Sequence, residues 1–207
     1  MGYCVITADV NESKRLPERK ELQQRILQSI AEVNVLFKEH LAAEFMITLG
    51  DEWQGVLKSL GPSYRVASYF LEKLYPIAVA FGIGEGTIAT ELSPRPTEMD
   101  GEVFHRSRNA LNQAKRSGQI IVISTSNPQN DLLLNTTLRL LQTVRETWTK
   151  RQFEKVMLYK QHRKEEVVAS ILEVSQADIN QALSSTRGRV YLDCEDTLNE
   201  FLNAIDL

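Results

Sequence analysis

The stretch Phe45-Met46-Ile47-Thr48-Leu49-Gly50-Asp51-Glu52-Trp53-Gln54-Gly55-Val56-Leu57 sets two apolar runs on either side of Gly-Asp-Glu. It predicts a β-hairpin with a charged tip, because Gly reaches positive φ without steric cost and Asp bonds its own backbone. Upstream, Tyr3-Cys4-Val5-Ile6-Thr7-Ala8-Asp9 reads as a strand that also ends in a carboxylate. Between the two, Leu22, Ile26, Ile30, Val33 and Phe37 recur at helical spacing, and Pro17 suits the first turn of that helix. Downstream, Gly61-Pro62-Ser63 opens a second helix with Val66, Phe70 and Leu74 on one face, closed by Pro76; Ile77–Gly84 then reads as a buried strand. The order β-α-β-β-α-β is the ferredoxin-like arrangement, an α+β fold with helices on one face of the sheet. It places Asp9 and Asp51 on adjacent central strands.

The chain continues through a loop with Pro94 and Pro96 to Asp100-Gly101, a helix from Glu102 to Ser117 ended by Gly118, and a strand over Ile120–Ser124. A first domain is expected over 1–127 and a connecting helix over 128–148. The Leu134, Leu138, Leu141 and Val144 face of that helix can pair two subunits into a homodimer. The segment 149–207 is expected to be a helix-turn-helix domain: a capped helix from Thr149, a short one over Glu165–Leu172, a Glu173-Val174-Ser175 turn, and another helix capped by Ser175.

At 207 residues, 43% of them hydrophobic, the chain can bury a full core. No run approaches the ~18 apolar residues of a spanning helix. A strand begins directly after Met1-Gly2, without a basic region and apolar signal core, so a cytoplasmic location and no membrane partner are expected. Cys4 and Cys194 form neither a metal spacing nor a disulfide framework and read as buried or half-buried thiols. A net charge of −3 leaves any nucleic-acid binding to local clustering.

Two carboxylates on adjacent strand ends can hold Mg²⁺ or Mn²⁺, which prefers oxygen ligands and keeps waters or phosphates as the rest. Asp9 and Asp51 are the candidate ligands, with Glu52 a third; the alternative is a turn whose acids face water. Ser13-Lys14-Arg15 can face a phosphate or simply be a solvated connection. Gly82, Gly84 and Gly86 read as sites of close backbone approach, since no helix opens directly after them.

Ile6-Thr7-Ala8-Asp9-Val10, Leu49-Gly50-Asp51-Glu52-Trp53 and Asp100-Gly101-Glu102-Val103-Phe104-His105, in that order, resemble class III nucleotide cyclase domains, and the hairpin also resembles the GGDEF signature. The whole chain is similar to the SatD family, a cyclase-like domain followed by a helix-turn-helix. The resemblance implies that Asp9 and Asp51 are the metal aspartates; Gly50, Glu52, His105 and Arg108 are the candidate nucleotide contacts, with His105, near a helix start, able to touch a phosphate or to be structural. It also marks departures. Ile47 stands where a cyclase has its purine-selecting Lys, and His105 and Asn109 stand where Asn and Arg stabilise the transferring phosphoryl group. Arg106 and Arg108 are out of register, and one position turns a helical side chain by about 100°. Phosphoryl transfer depends on positioning and charge stabilisation, so cyclase activity is not expected.

Lys150, Arg151, Lys155, Lys160, Arg163 and Lys164 face one acid, Glu154, within their stretch, a composition that suits phosphates. Gln176, Asn180, Gln181 and Ser184 can bond base edges of double-stranded DNA, and Arg187 and Arg189 follow where a wing or backbone contact can lie. The reading is a DNA-binding transcriptional regulator with a degenerate sensory domain. Its rivals are a metal-dependent nucleotidyl or phosphoryl transferase and a purely structural module. An Arg or Lys converging on the aspartates favours chemistry; a closed or neutral site favours sensing.

Overall fold

The computed structural model describes residues 2–11 and 19–206; the Ser13-Lys14-Arg15 loop and the Pro17 helix start lie outside the described residues. The chain divides into two compact units, Met1–Arg139 with Asn199–Leu207, and Leu140–Leu198.

In the first unit a five-stranded sheet runs β2-β3-β1-β4-β5, with β1 Tyr3–Val10, β2 Leu41–Leu49, β3 Glu52–Leu57, β4 Val79–Gly86 and β5 Ile121–Ser124. The first four pair antiparallel as the split β-α-β-β-α-β order requires, and β5 adds parallel to β4. The hairpin turns on two residues, Gly50 at φ 63 and Asp51, so Glu52 already pairs with Leu49 and opens β3. Helices α1 Arg19–Leu36 and α2 Ser63–Leu74 pack on each other, and α3 Glu102–Ser117 packs on β4, β1 and β5. Gly118 ends α3 in the left-handed region at φ 69.

The period of two along each strand divides the core. Phe45, Trp53 and Phe81 meet Phe70 of α2, with neighbouring ring centroids 5.3–6.2 Å apart, each such pair worth about 0.5–1.5 kcal/mol beyond its burial. Val5, Ala43 and Val56 face Val103 and Phe104 of α3. Farther along α3, Ala110, Leu111 and Ala114 pack on Ala80 and Val122. The glycines of β4 permit this: a Cβ on Gly82 would overlap Leu111 N and Ser107 O, and one on Gly84 would overlap Ser107 N. The α3 backbone therefore lies directly on the strand.

The C-terminal residues complete the unit. Asp206 accepts hydrogen bonds from Leu60 N and Gly61 N, both at 3.0 Å.

Helix α4 spans Pro128–Glu146, and the unit boundary falls inside it. Leu134, Leu138 and Leu141, the face expected to pair subunits, are buried within the chain, while Leu132, Leu133 and Leu140 are exposed. The second unit continues with α5 Lys150–His162, α6 Glu165–Ile171, α7 Gln176–Ser185 and the first part of α8 Gly188–Ile205. A capping box of Thr149 and Gln152 starts α5, and Ser175 accepts from Asp178 N to start α7. Trp148 donates to Thr186 O at 2.9 Å and stacks edge-on against Tyr191 at 4.7 Å. Where a wing or a backbone contact was expected at Arg187 and Arg189, there is no wing among the described residues: α8 opens at Gly188, because Tyr191, Leu192 and Leu198 give it an apolar face to bury. Helix α8 continues past Leu198, where the second unit ends. Cys4 is buried, and burial pushes its thiol pKa up; Cys194, expected to be at least half-buried, is exposed.

Candidate functional site

Cross-strand register builds the site. On the face covered by α3, β1 and β3 oppose Val5 with Val56, Thr7 with Gln54, and Asp9 with Glu52, a ladder running from apolar through polar to charged toward the hairpin tip. Helix α3 matches it rung by rung. Ser107 meets the middle rung: Gln54 Nε2 donates to Thr7 Oγ1 at 2.8 Å, Thr7 and Ser107 hydroxyls lie 2.7 Å apart, and Ser107 Oγ donates to Gly82 O at 2.9 Å. Because the Ser107 proton is committed to Gly82, Thr7 is the donor to Ser107. All the groups of this relay are buried.

The charged rung sets two carboxylates directly opposite, which is destabilising unless cations offset them. Arg108 supplies one through a two-pronged pair with Glu52, Nη2 to Oε1 at 2.7 Å and Nη1 to Oε2. Thr48 also donates to Glu52 Oε1 at 2.8 Å. Desolvation raises the Glu52 pKa, but the Arg108 and Thr48 hydrogen bonds outweigh it and hold the group below the ordinary carboxylate value. Lys115 supplies the other cation, pairing its ammonium with Asp9 Oδ2. Here burial dominates: desolvation, with Asp51 and Glu52 adding to it, holds Asp9 above its ordinary pKa despite Lys115.

Asp51 lies beside this cluster and lines a cavity of about 360 Å³ with Gly50, Arg19, Lys20, Leu22, Gln23 and Ile26. Its Oδ2 is buried and accepts no hydrogen bond from any described residue. A divalent cation suits that oxygen, and the Asp9 carboxylate close enough to feel its charge is the second candidate ligand. Among the described residues no group of three or more His, Cys, Asp or Glu is placed to hold a metal ion, so a cation there needs water or ligand oxygens besides. Mg²⁺ or Mn²⁺ would supply charge neutralisation for a phosphate at this point.

Among the residues expected to face a nucleotide, Gly50 lines the cavity, while Glu52 and Arg108 are joined to each other. His105 is exposed, 3.5 Å from Asp100. Lys115, Thr7, Gln54 and Ser107 were missed in the sequence. The available signal was that acids opposed across two strands require cations from the covering helix, where Arg108 and Lys115 stand two turns apart.

In the second unit Gln176, Asn180, Gln181 and Ser184 are exposed along α7, while Ile179, Ala182 and Leu183 face inward. Lys150, Arg151 and Arg187 are exposed. Lys155, expected on a phosphate-facing surface, is buried with its ammonium 2.6 Å from Asp178. Lys160 and Arg163 pair with Glu195 and Asp196, and Arg189 pairs with Glu165. Asn180 Nδ2 lies 3.4 Å from Glu165 Oε2, and the Ser175 hydroxyl is occupied by its cap. No described helix is long and apolar enough to cross a membrane.

No curated protein matches the chain in sequence. Solved structures similar to it include a bacterial light-regulated adenylyl cyclase, at 12% identity and TM-score 0.47 over 59% of this chain and 75% of that one. Another is a microbial GGDEF domain seen with cyclic di-GMP, at 16% and 0.42 over 59% and 77%. A third is the guanylyl cyclase domain of a rhodopsin fusion protein, RhoGC, from Blastocladiella emersonii, at 14% and 0.41 over 54% and 73%. The model of the SatD family matches residues 3–202, nearly the whole sequence, and the chain belongs to the SatD family.

Proposed function

We propose that the chain is a nucleotide-responsive, DNA-binding regulator that works as a homodimer. Its first unit binds a phosphorylated nucleotide with Mg²⁺ or Mn²⁺ at the hairpin tip, and its second unit reads double-stranded DNA through a helix-turn-helix of α6 and α7. The observation that supports the first half is the cavity that Asp51, one oxygen of which is buried without a partner among the described residues, lines together with Arg19 and Lys20. A carboxylate for a cation beside two bases for phosphates is what a metal-bound polyphosphate needs. For the second half, the outward amide face of α7 supports base contact, with exposed Lys150 and Arg151 for backbone contact. The exposed Leu132 and Leu133 of α4 offer a second copy an apolar face.

Calorimetry with MgATP and MgGTP tests the sensor, and selection from genomic DNA tests the reader. Gln176→Ala should cost about 1–3 kcal/mol at the selected site only, while Lys150→Ala with Arg151→Ala should weaken binding to every sequence and flatten its salt dependence. If no sequence is enriched, the regulator reading is wrong.

A transferase is the second reading, favoured by Arg108 and Lys115, cations beside the acids that can stabilise a transferring phosphoryl group once released from their carboxylates. Chromatography after long incubation of ATP or GTP with Mn²⁺ decides: turnover that disappears in Asp9→Asn supports the transferase and overturns the sensor.

A further inference from the structure

We infer that Lys115 is a built-in cation that holds the place of a metal ion on Asp9, so that the acid site takes up a divalent cation only when a phosphate draws Lys115 away. This rests on the reading of the hairpin tip as a metal–phosphate site. Three observations lead to it. Asp9 is placed by strand register opposite Glu52, so the pair of acids cannot stay uncompensated on a largely covered face. Glu52 already has a two-pronged partner in Arg108 and a hydroxyl from Thr48, which leaves Asp9 and Asp51 as the carboxylates able to accept a new cation. Asp51 Oδ2 is buried without a donor among the described residues, whereas Asp9 Oδ2 carries the Lys115 ammonium. Of the two candidate carboxylates, Asp51 therefore has an oxygen without a donor among the described residues, and Asp9 is held by a side chain of the chain itself.

The two cations differ in what releasing them requires. The planar Arg108 fork is matched to both oxygens of Glu52, whereas the Lys115 ammonium is a point charge on a flexible stem and can turn to another anion without losing a fitted geometry. A polyphosphate beside Asp9 supplies such an anion. As the ammonium moves to phosphate, Asp9 loses its counter-charge, and a divalent ion can take the place that the ammonium held. Metal and phosphate then bind with positive coupling, each removing what opposes the other.

The 207-residue chain is titrated with Mn²⁺ alone, followed by electron paramagnetic resonance, in wild type, Lys115→Met and Lys115→Arg. Lys115→Met keeps the stem but not the charge and should bind Mn²⁺ about tenfold or more tightly than wild type, while Lys115→Arg should stay near wild type. A second measurement covers the case in which Lys115→Met does not fold: Asp9→Asn frees the ammonium, and its affinity for inorganic tripolyphosphate without metal should rise several-fold. Equal Mn²⁺ affinity in wild type and Lys115→Met, or an Asp9→Asn variant no better at holding tripolyphosphate, overturns the inference and leaves the nucleotide reading standing. Conversely, a gain in Lys115→Met in a protein that binds neither MgATP nor MgGTP sinks the nucleotide reading and leaves the role of Lys115 intact.

Discussion

Asp9 and Glu52 face each other across two strands, yet the protein treats them in opposite ways. Burial penalises both charges, but the Arg108 fork and Thr48 overcome that penalty at Glu52, while Lys115 does not overcome it at Asp9. The signs follow by linkage. A lowered carboxylate pKa contributes stability above the ordinary value, and that contribution fades as pH falls through the folded value. A raised one does the reverse: its cost appears as pH rises past the ordinary value and is complete above the folded value. At neutral pH, Glu52→Gln should therefore destabilise the protein by about 1–2 kcal/mol, a figure kept small because Arg108 is partly exposed. Asp9→Asn should leave stability within about 0.5 kcal/mol of wild type or raise it. Urea unfolding of the two variants at pH 7 measures the contrast, and equal losses in both would contradict this account of the charged rung.

At the scale of elements, two devices hold the layers together. On the α3 face, the smallness of Gly82 and Gly84 lets a helix backbone rest on a strand, which carries Ser107, Arg108 and Lys115 to their partners. Between α1 and α2, Glu32 accepts from Tyr69 Oη at 2.7 Å, pairs with Lys73 at 2.9 Å and accepts from Gln28 at 3.0 Å. The Tyr69 hydrogen bond, followed by those from Lys73 and Gln28, pulls the Glu32 pKa down from 4.5 to about 2. Its contribution is thus in place above pH 4.5 and is lost as pH falls toward about 2. Melting temperatures of wild type should drop across that window, and Glu32→Gln, which has no charge to lose, should show a shallower slope there. Parallel slopes would mean that the clasp adds nothing to stability.

Over the whole molecule, the first unit is not a contiguous stretch. Residues Asn199–Leu207 return to it after the second unit, and Asp206 satisfies two backbone donors in the turn before α2. A protein cut after residue 127 or 139 lacks that closure. Asp206→Ala should lower unfolding free energy by about 1–3 kcal/mol, because it leaves Leu60 N and Gly61 N without their charged acceptor. A chain ending at Leu198 should lose at least as much. Thermal unfolding of both checks this, and a truncated chain as stable as the full one would show the return of the C-terminus to be incidental.

Local chemistry along the chain determined the strands β1 to β5, the hairpin at Gly50-Asp51, the end of α3 at Gly118 and the Ser175 cap, since periodicity, turn residues and caps act within a few neighbours. Helix α8 was not legible because Arg187 and Arg189 after α7 suit a wing or a backbone contact, and its apolar face matters only once Trp148 and its neighbours are there to cover it. The acids of the site were legible as a pair on adjacent strand ends, but their partners were not. Whether Lys115 meets Asp9, whether Arg108 meets Glu52 and whether Lys155 turns inward to Asp178 depend on strand register and helix rotation, which residues far apart in sequence set together. Only the packed tertiary structure decides such pairings, because each charge goes where burial leaves an opposite charge unpaired.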